Sequence, residues 1–130
     1  MELSDKEIFL VAVIKEFDFL RTYGYDNQVS IYDREPCIIF SNIKINRKLI
    51  CTYLDRFDLE ITTEIRKLLT TVSDSLTLTE IVAMQGFKLM PFVPVDAQVK
   101  WISTIIQDNY LEIIEGKKWK EGLSKSLSAG

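Results

Sequence analysis

The sequence contains no histidine. That absence removes the commonest general base, the Ser-His and Cys-His nucleophile pairs, and metal sites built on imidazole. Glycine is scarce, and Gly24, Gly86, Gly116, Gly122 and Gly130 never gather into a phosphate-cradling loop. The first three follow expected helices, where a left-handed residue closes the last turn. Cysteine is limited to Cys37 and Cys51, with no CxxC or ligand spacing. Reduced thiols in a cytoplasmic protein are the simpler reading.

Long apolar runs are missing too. The longest, Ile8 to Ile14, is seven residues, against roughly 20 for a bilayer-spanning helix. The stretch before it, Glu2 to Glu7, is polar and acidic rather than a basic leader. A cytoplasmic chain with no membrane partner is expected. Nor is there an excess of positive charge: 16 Lys and Arg face 19 Asp and Glu, a net charge of −3. Nucleic acid is therefore not an expected partner. The short cluster Lys117, Lys118 and Lys120 beside Trp119 reads as a solvated helix end.

What is present suffices for one core. Of 130 residues 47% are apolar, including seven Phe, five Tyr and two Trp, enough for a domain without disulfide or metal staples. A single α+β domain is expected over residues 1–123, followed by a frayed tail, 124–130. Ser4 and Glu7 spell a capping box opening a helix that runs to Tyr23 before Gly24. Phe9, Leu10, Val13, Phe17 and Leu20 form its stripe, while Ile8, Val11, Ala12 and Ile14 make its first half apolar nearly all round. From Gln28 to Thr63 the period becomes two, predicting an antiparallel meander of three to four strands. A two-residue Asp55-Arg56 loop would place Leu54 opposite Phe57, Thr52 opposite Leu59 and Ile50 opposite Ile61 as the core face. Tyr53, Cys51 and Leu49 would then share the other face with Asp58, Glu60 and Thr62. Glu64 to Val72 fits helix and strand alike. Thr77 and Glu80 form a second capping box, with Leu76 and Ile81 as a staple, for a short helix ending at Gly86. After Pro91 and Pro94 a long helix is expected from Asp96 to Glu115, with Val99, Ile102, Ile106, Tyr110, Ile113 and Ile114 inward. The C-terminal helices should pack on one face of the sheet.

No catalytic residue, metal site or cofactor emerges from this pattern. Asp58 and Glu60, two apart on a strand, could share a proton or hold a divalent cation, but a solvated sheet face explains them as well. Cys37 and Cys51 would oppose each other if the preceding turn centred on Lys44, giving either a redox pair or small packed thiols. Trp101 and Ile105 lie off the core stripe of the last long helix. Either the segment around Trp119 folds back over them or they meet a partner, since Trp is enriched at binding hot spots.

The order of elements resembles a set of small uncharacterised bacterial proteins. Phe19-Leu20-Arg21-Thr22-Tyr23-Gly24-Tyr25 resembles their opening motif, and Tyr53-Leu54-Asp55-Arg56 through Glu60-Ile61 is similar to their hairpin. Ser75-Leu76-Thr77-Leu78-Thr79-Glu80-Ile81 resembles their short helix. Lys100-Trp101-Ile102 and Leu111-Glu112-Ile113-Ile114-Glu115-Gly116 are similar to their closing helix. Some of these proteins resemble immunity proteins, so the resemblance implies binding and blocking of a bacterial toxin. A non-catalytic protein-binding domain with Asp58, Glu60, Tyr53, Trp101 and Ile105 as contact residues is the leading expectation. Its partner would be another protein, such as a cationic toxin. A homo-oligomeric accessory protein is the alternative, and a carboxylate-dependent enzyme the third.

Overall fold

The computed structural model describes residues 4–32, 35–53, 57–67, 69–86 and 94–119. Helix α1 (Asp5–Glu16) opens on the expected capping box, with Ser4 Oγ accepting from the Glu7 amide and the Glu7 carboxylate turned back to Ser4. It is shorter than its periodicity suggests. Ser103 Oγ donates to the Glu16 carbonyl at 2.7 Å, so a side chain from another helix takes an acceptor of the last turn. The chain tightens into a 3₁₀ turn over Asp18–Tyr23 and closes at Gly24, φ 89°, a left-handed conformation that suits glycine.

Five strands follow, each antiparallel to the next in the order of the sequence: β1 (Asp26–Tyr32), β2 (Glu35–Asn42), β3 (Arg47–Tyr53), β4 (Phe57–Lys67) and β5 (Thr70–Thr77). The expected meander is present with one strand more than anticipated. Glu64 to Val72, readable as helix or strand, supplies the end of β4 and the start of β5. Its apolar residues recur at helical spacing, but pairing with the neighbouring strand satisfies the backbone of both.

The hairpin register differs from the expected one by a residue. Tyr53 pairs with Phe57, Cys51 with Leu59 and Leu49 with Ile61, and positions 54–56, including Asp55-Arg56, lie outside the described residues. The slip has a direct physical reason. Side chains alternate across a strand, so this register gathers all six of those residues on one face. Leu49, Cys51, Phe57, Leu59 and Ile61 are buried there with Ile38, Phe40 and Leu76. The two-residue loop would have set Leu49 and Cys51 among carboxylates.

All the helices cover that face. The second capping box, Thr77 with Glu80, opens α2 (Leu78–Ala83), and Leu76 and Ile81 both enter the core. The long C-terminal helix is divided at Tyr110 into α3 (Val95–Asn109) and α4 (Leu111–Ile114). Tyr110 is fully buried, and its hydroxyl donates to the Ile81 carbonyl at 2.9 Å, tying the break to α2. One hydrophobic core runs from Phe9 to Trp119. No described helix is long and apolar enough to cross a membrane. The expected frayed tail, 124–130, lies outside the described residues.

Candidate functional site

The register that builds the core also defines its opposite. Asp58, Glu60, Thr62 and Glu64 of β4 point away from the helices, beside Lys48, Ile50 and Thr52 of β3, then Cys37, Ile39 and Ser41 of β2. None of these ten residues is buried. Ile39 and Ile50 sit directly opposite each other, Ile50 pairs onward with Glu60, and Thr52 pairs with Asp58. An aliphatic pair at the middle of the sheet is thus bordered by carboxylates. Asp26 and Glu35 of β1 and β2 are exposed on the same face. Among its described side chains five are acidic and Lys48 is basic. The Asp58 carboxylate is held by its neighbour's backbone, Leu59 N–H donating to Oδ1 at 2.9 Å.

Of the expected contact residues, only Asp58 and Glu60 meet here. Tyr53 falls on the helix-facing side, its ring 5.6 Å from that of Phe9. Ile105 is 5% exposed and belongs to the core, so it is no surface residue. Buried residues of α3 cover a wide arc from Ile105 and Gln98 through Ile102 and Ile106 to Ser103. The helix packs against α1, α2 and the sheet together, which is why its buried face exceeds one stripe. Trp101, at the margin of this arc, is half-buried against the core. Trp119 is buried elsewhere, past the C-terminal end of α3: its indole N–H donates to Asp74 Oδ2 at 2.8 Å and its ring lies 4.8 Å from the Arg47 guanidinium carbon.

Sequence reasoning missed Arg47. It is 8% exposed and donates to the carbonyls of Ile113 and Lys118 and to Thr63 Oγ1, at 3.1, 2.9 and 2.8 Å. Tyr25 adds a 2.7 Å bond to the Ile114 carbonyl. Arg47 of β3 and Tyr25, just before β1, therefore bond the carbonyls at the end of α4, where the Ile113 oxygen also accepts from the Gly116 amide. Nothing local to position 47 signals this, because the carbonyls of Ile113 and Lys118 lie 66 and 71 residues away.

The cysteines do not form a pair. Cys37 opposes Thr52, while Cys51 opposes Ile38; the two thiols lie on opposite faces of the sheet. Both are free. Burial raises the pKa of Cys37, and raises that of Cys51 further with help from the charges of Cys37 and Asp58. Such thiols are poor nucleophiles. Among the described residues no group of three acids or thiols is placed to hold a metal ion.

A second surface lies between α1 and α3, an open groove of about 540 Å³ lined by Ile8, Val11, Ala12 and Ala97 with Lys15, Glu16, Asp96 and Lys100. Val11 is 59% and Ile14 46% exposed. These account for the nearly all-round apolar character of the first helix: one side enters the core and the other meets solvent. No protein-family model, curated protein or solved structure matches the chain.

Proposed function

We propose that the chain is a non-catalytic protein-binding domain that receives a cationic protein on the open face of its sheet. The observation behind this reading is the arrangement on that face: an aliphatic centre, Ile39 against Ile50, bordered by Asp58, Glu60 and further carboxylates. An apolar centre with a polar margin is the usual anatomy of a protein interface. Carboxylates of one sign speed the encounter with a positive partner and reject negative ones. Strands β2 to β4 are braced from behind by the core, so the face is rigid and little ordering is lost on binding.

Resemblance to proteins akin to immunity proteins narrows the partner to a cationic toxin, one that acts on nucleic acid being the chemistry an acidic surface fits best. The binding domain would then act by covering its target. Co-expression with the product of the adjacent gene is expected to give a stable complex and to relieve toxicity. Asp58→Lys with Glu60→Lys is expected to weaken that complex roughly tenfold or more, chiefly through slower association, with the thermal midpoint unchanged. No complex, or one indifferent to both reversals, rules the reading out.

Exposed Val11 and Ile14 support a second reading, a homo-oligomeric accessory protein joined through α1. Sedimentation of the Val11→Glu variant tests it, and a wild-type monomer at micromolar concentration excludes it.

A further inference from the structure

The sheet ends in a strand that, among the described residues, is defended at Asp74, where Trp119 donates to the carboxylate, and little defended from Leu69 to Ser73. Natural edge strands are blunted by Lys, Pro, bulges or covering elements, because their free amides and carbonyls pair with any available strand. Edge strand β5 reads Thr70-Thr71-Val72-Ser73-Asp74-Ser75-Leu76-Thr77, without Lys, Arg, Pro or Gly. Its pairing with β4 runs unbroken from Lys67↔Thr70 to Glu60↔Thr77, with no bulge. Moreover, β3 pairs with β4 only as far as Lys48↔Thr62 and Asn46 and Arg47 hold Thr63 and Glu64, so residues 65–67 and 70–72 continue as a two-stranded ribbon past the neighbouring strand. A ribbon of two strands has little stability of its own. This one carries a fully exposed Leu69, an exposed Val72 (51%) and exposed Thr70 and Thr71, with Ser73 exposed next to it.

We infer that β5 pairs antiparallel with β5 of a second copy of this chain, joining two five-stranded sheets edge to edge. A two-fold interface must be complementary to itself, and this strand meets the condition. With the axis at Val72, Val72 faces its own counterpart, Thr71 faces Ser73, and Thr70 faces Asp74. The exposed aliphatic side chains cover each other. Asp74, the one charge on the strand, is held by Trp119 and lies opposite Thr70 rather than a second charge, so no like charges meet. Backbone pairing supplies the attraction, as in other strand additions, and steadies the ribbon. The surface is distinct from the open face proposed for the cationic partner and leaves it free.

Sedimentation velocity on the full chain across micromolar concentrations tests the pairing. Wild type is expected to dimerise. Val72→Lys and Val72→Glu, each placing like charges across the axis, should each weaken the dimer roughly tenfold or more. Mixed together they should recover a heterodimer, which also shows that both variants fold. Val11→Glu should leave the dimer intact. A wild-type monomer throughout, Val72 variants that still dimerise alone, or a mixture that stays monomeric overturns the inference.

Discussion

Burying Arg47 costs the hydration of a guanidinium, and the structure offsets that loss with carbonyls, a hydroxyl and the Trp119 ring rather than with hydrophobic contact. Its neighbour Tyr25 shares the task, and the phenol gives the cluster a pH signature. Burial raises the Tyr25 pKa, with the positive charge of Arg47 opposing in part; burial raises Tyr110 in the same direction. In the unfolded chain tyrosine ionises near pH 10. Above that pH the folded state holds protons that the unfolded state has lost, so the tyrosine contribution to stability is intact below about pH 10 and falls beyond it. Cys51 acts in the same sense from its lower ordinary value. Chemical denaturation should therefore give a level midpoint near neutrality and a declining one in alkali. Tyr25→Phe, which loses the bond to the Ile114 carbonyl, should be less stable by about 1 kcal/mol at neutral pH and decline less steeply. Equal slopes for both proteins would refute this account of Tyr25.

At the scale of elements, what was local in sequence was legible. Both capping boxes, the left-handed closure at Gly24 and the switch from period 3.6 to period 2 at β1 were readable because each depends on residues within a few positions. Helix ends decided by distant groups were not. Ser103 ends α1 from another helix, and the buried Tyr110 divides α3 from α4 through its bond to α2. Ile105 shows how a single stripe misleads: α3 meets neighbours on several sides, so an apolar residue off the stripe is core. Ile105→Ala should destabilise the fold by about 2–5 kcal/mol, measured by urea unfolding, and an unchanged midpoint would return Ile105 to the surface. Asp58 and Glu60 were correctly placed together because residues two apart share a strand face. Tyr53 was not, because its face depends on the register of the whole hairpin.

For the molecule as a whole, net charge and its placement differ in meaning. A net charge of −3 says little, but gathering five carboxylates on one sheet face produces a directed field. Association of the proposed cationic partner should therefore slow as salt rises, since exposed charges more than about 10 Å apart are screened at 0.1 M. Rates that do not vary with ionic strength, measured by stopped flow, would show that the face does not steer. Composition by itself determined that this chain can build an α+β core and that histidine chemistry is excluded, because those follow from residue inventory and local periodicity. The order of residues likewise determined where capping would begin α1 and α2. Tertiary structure alone decided the register that turns Asp58 and Glu60 outward beside Ile39 and Ile50. It alone buried Arg47 beneath Trp119, parted the two cysteines across the sheet and left Leu69 and Val72 exposed at its β5 end. Each of these depends on which distant segments share a face, and that is settled when the apolar set of every strand and helix is buried at once.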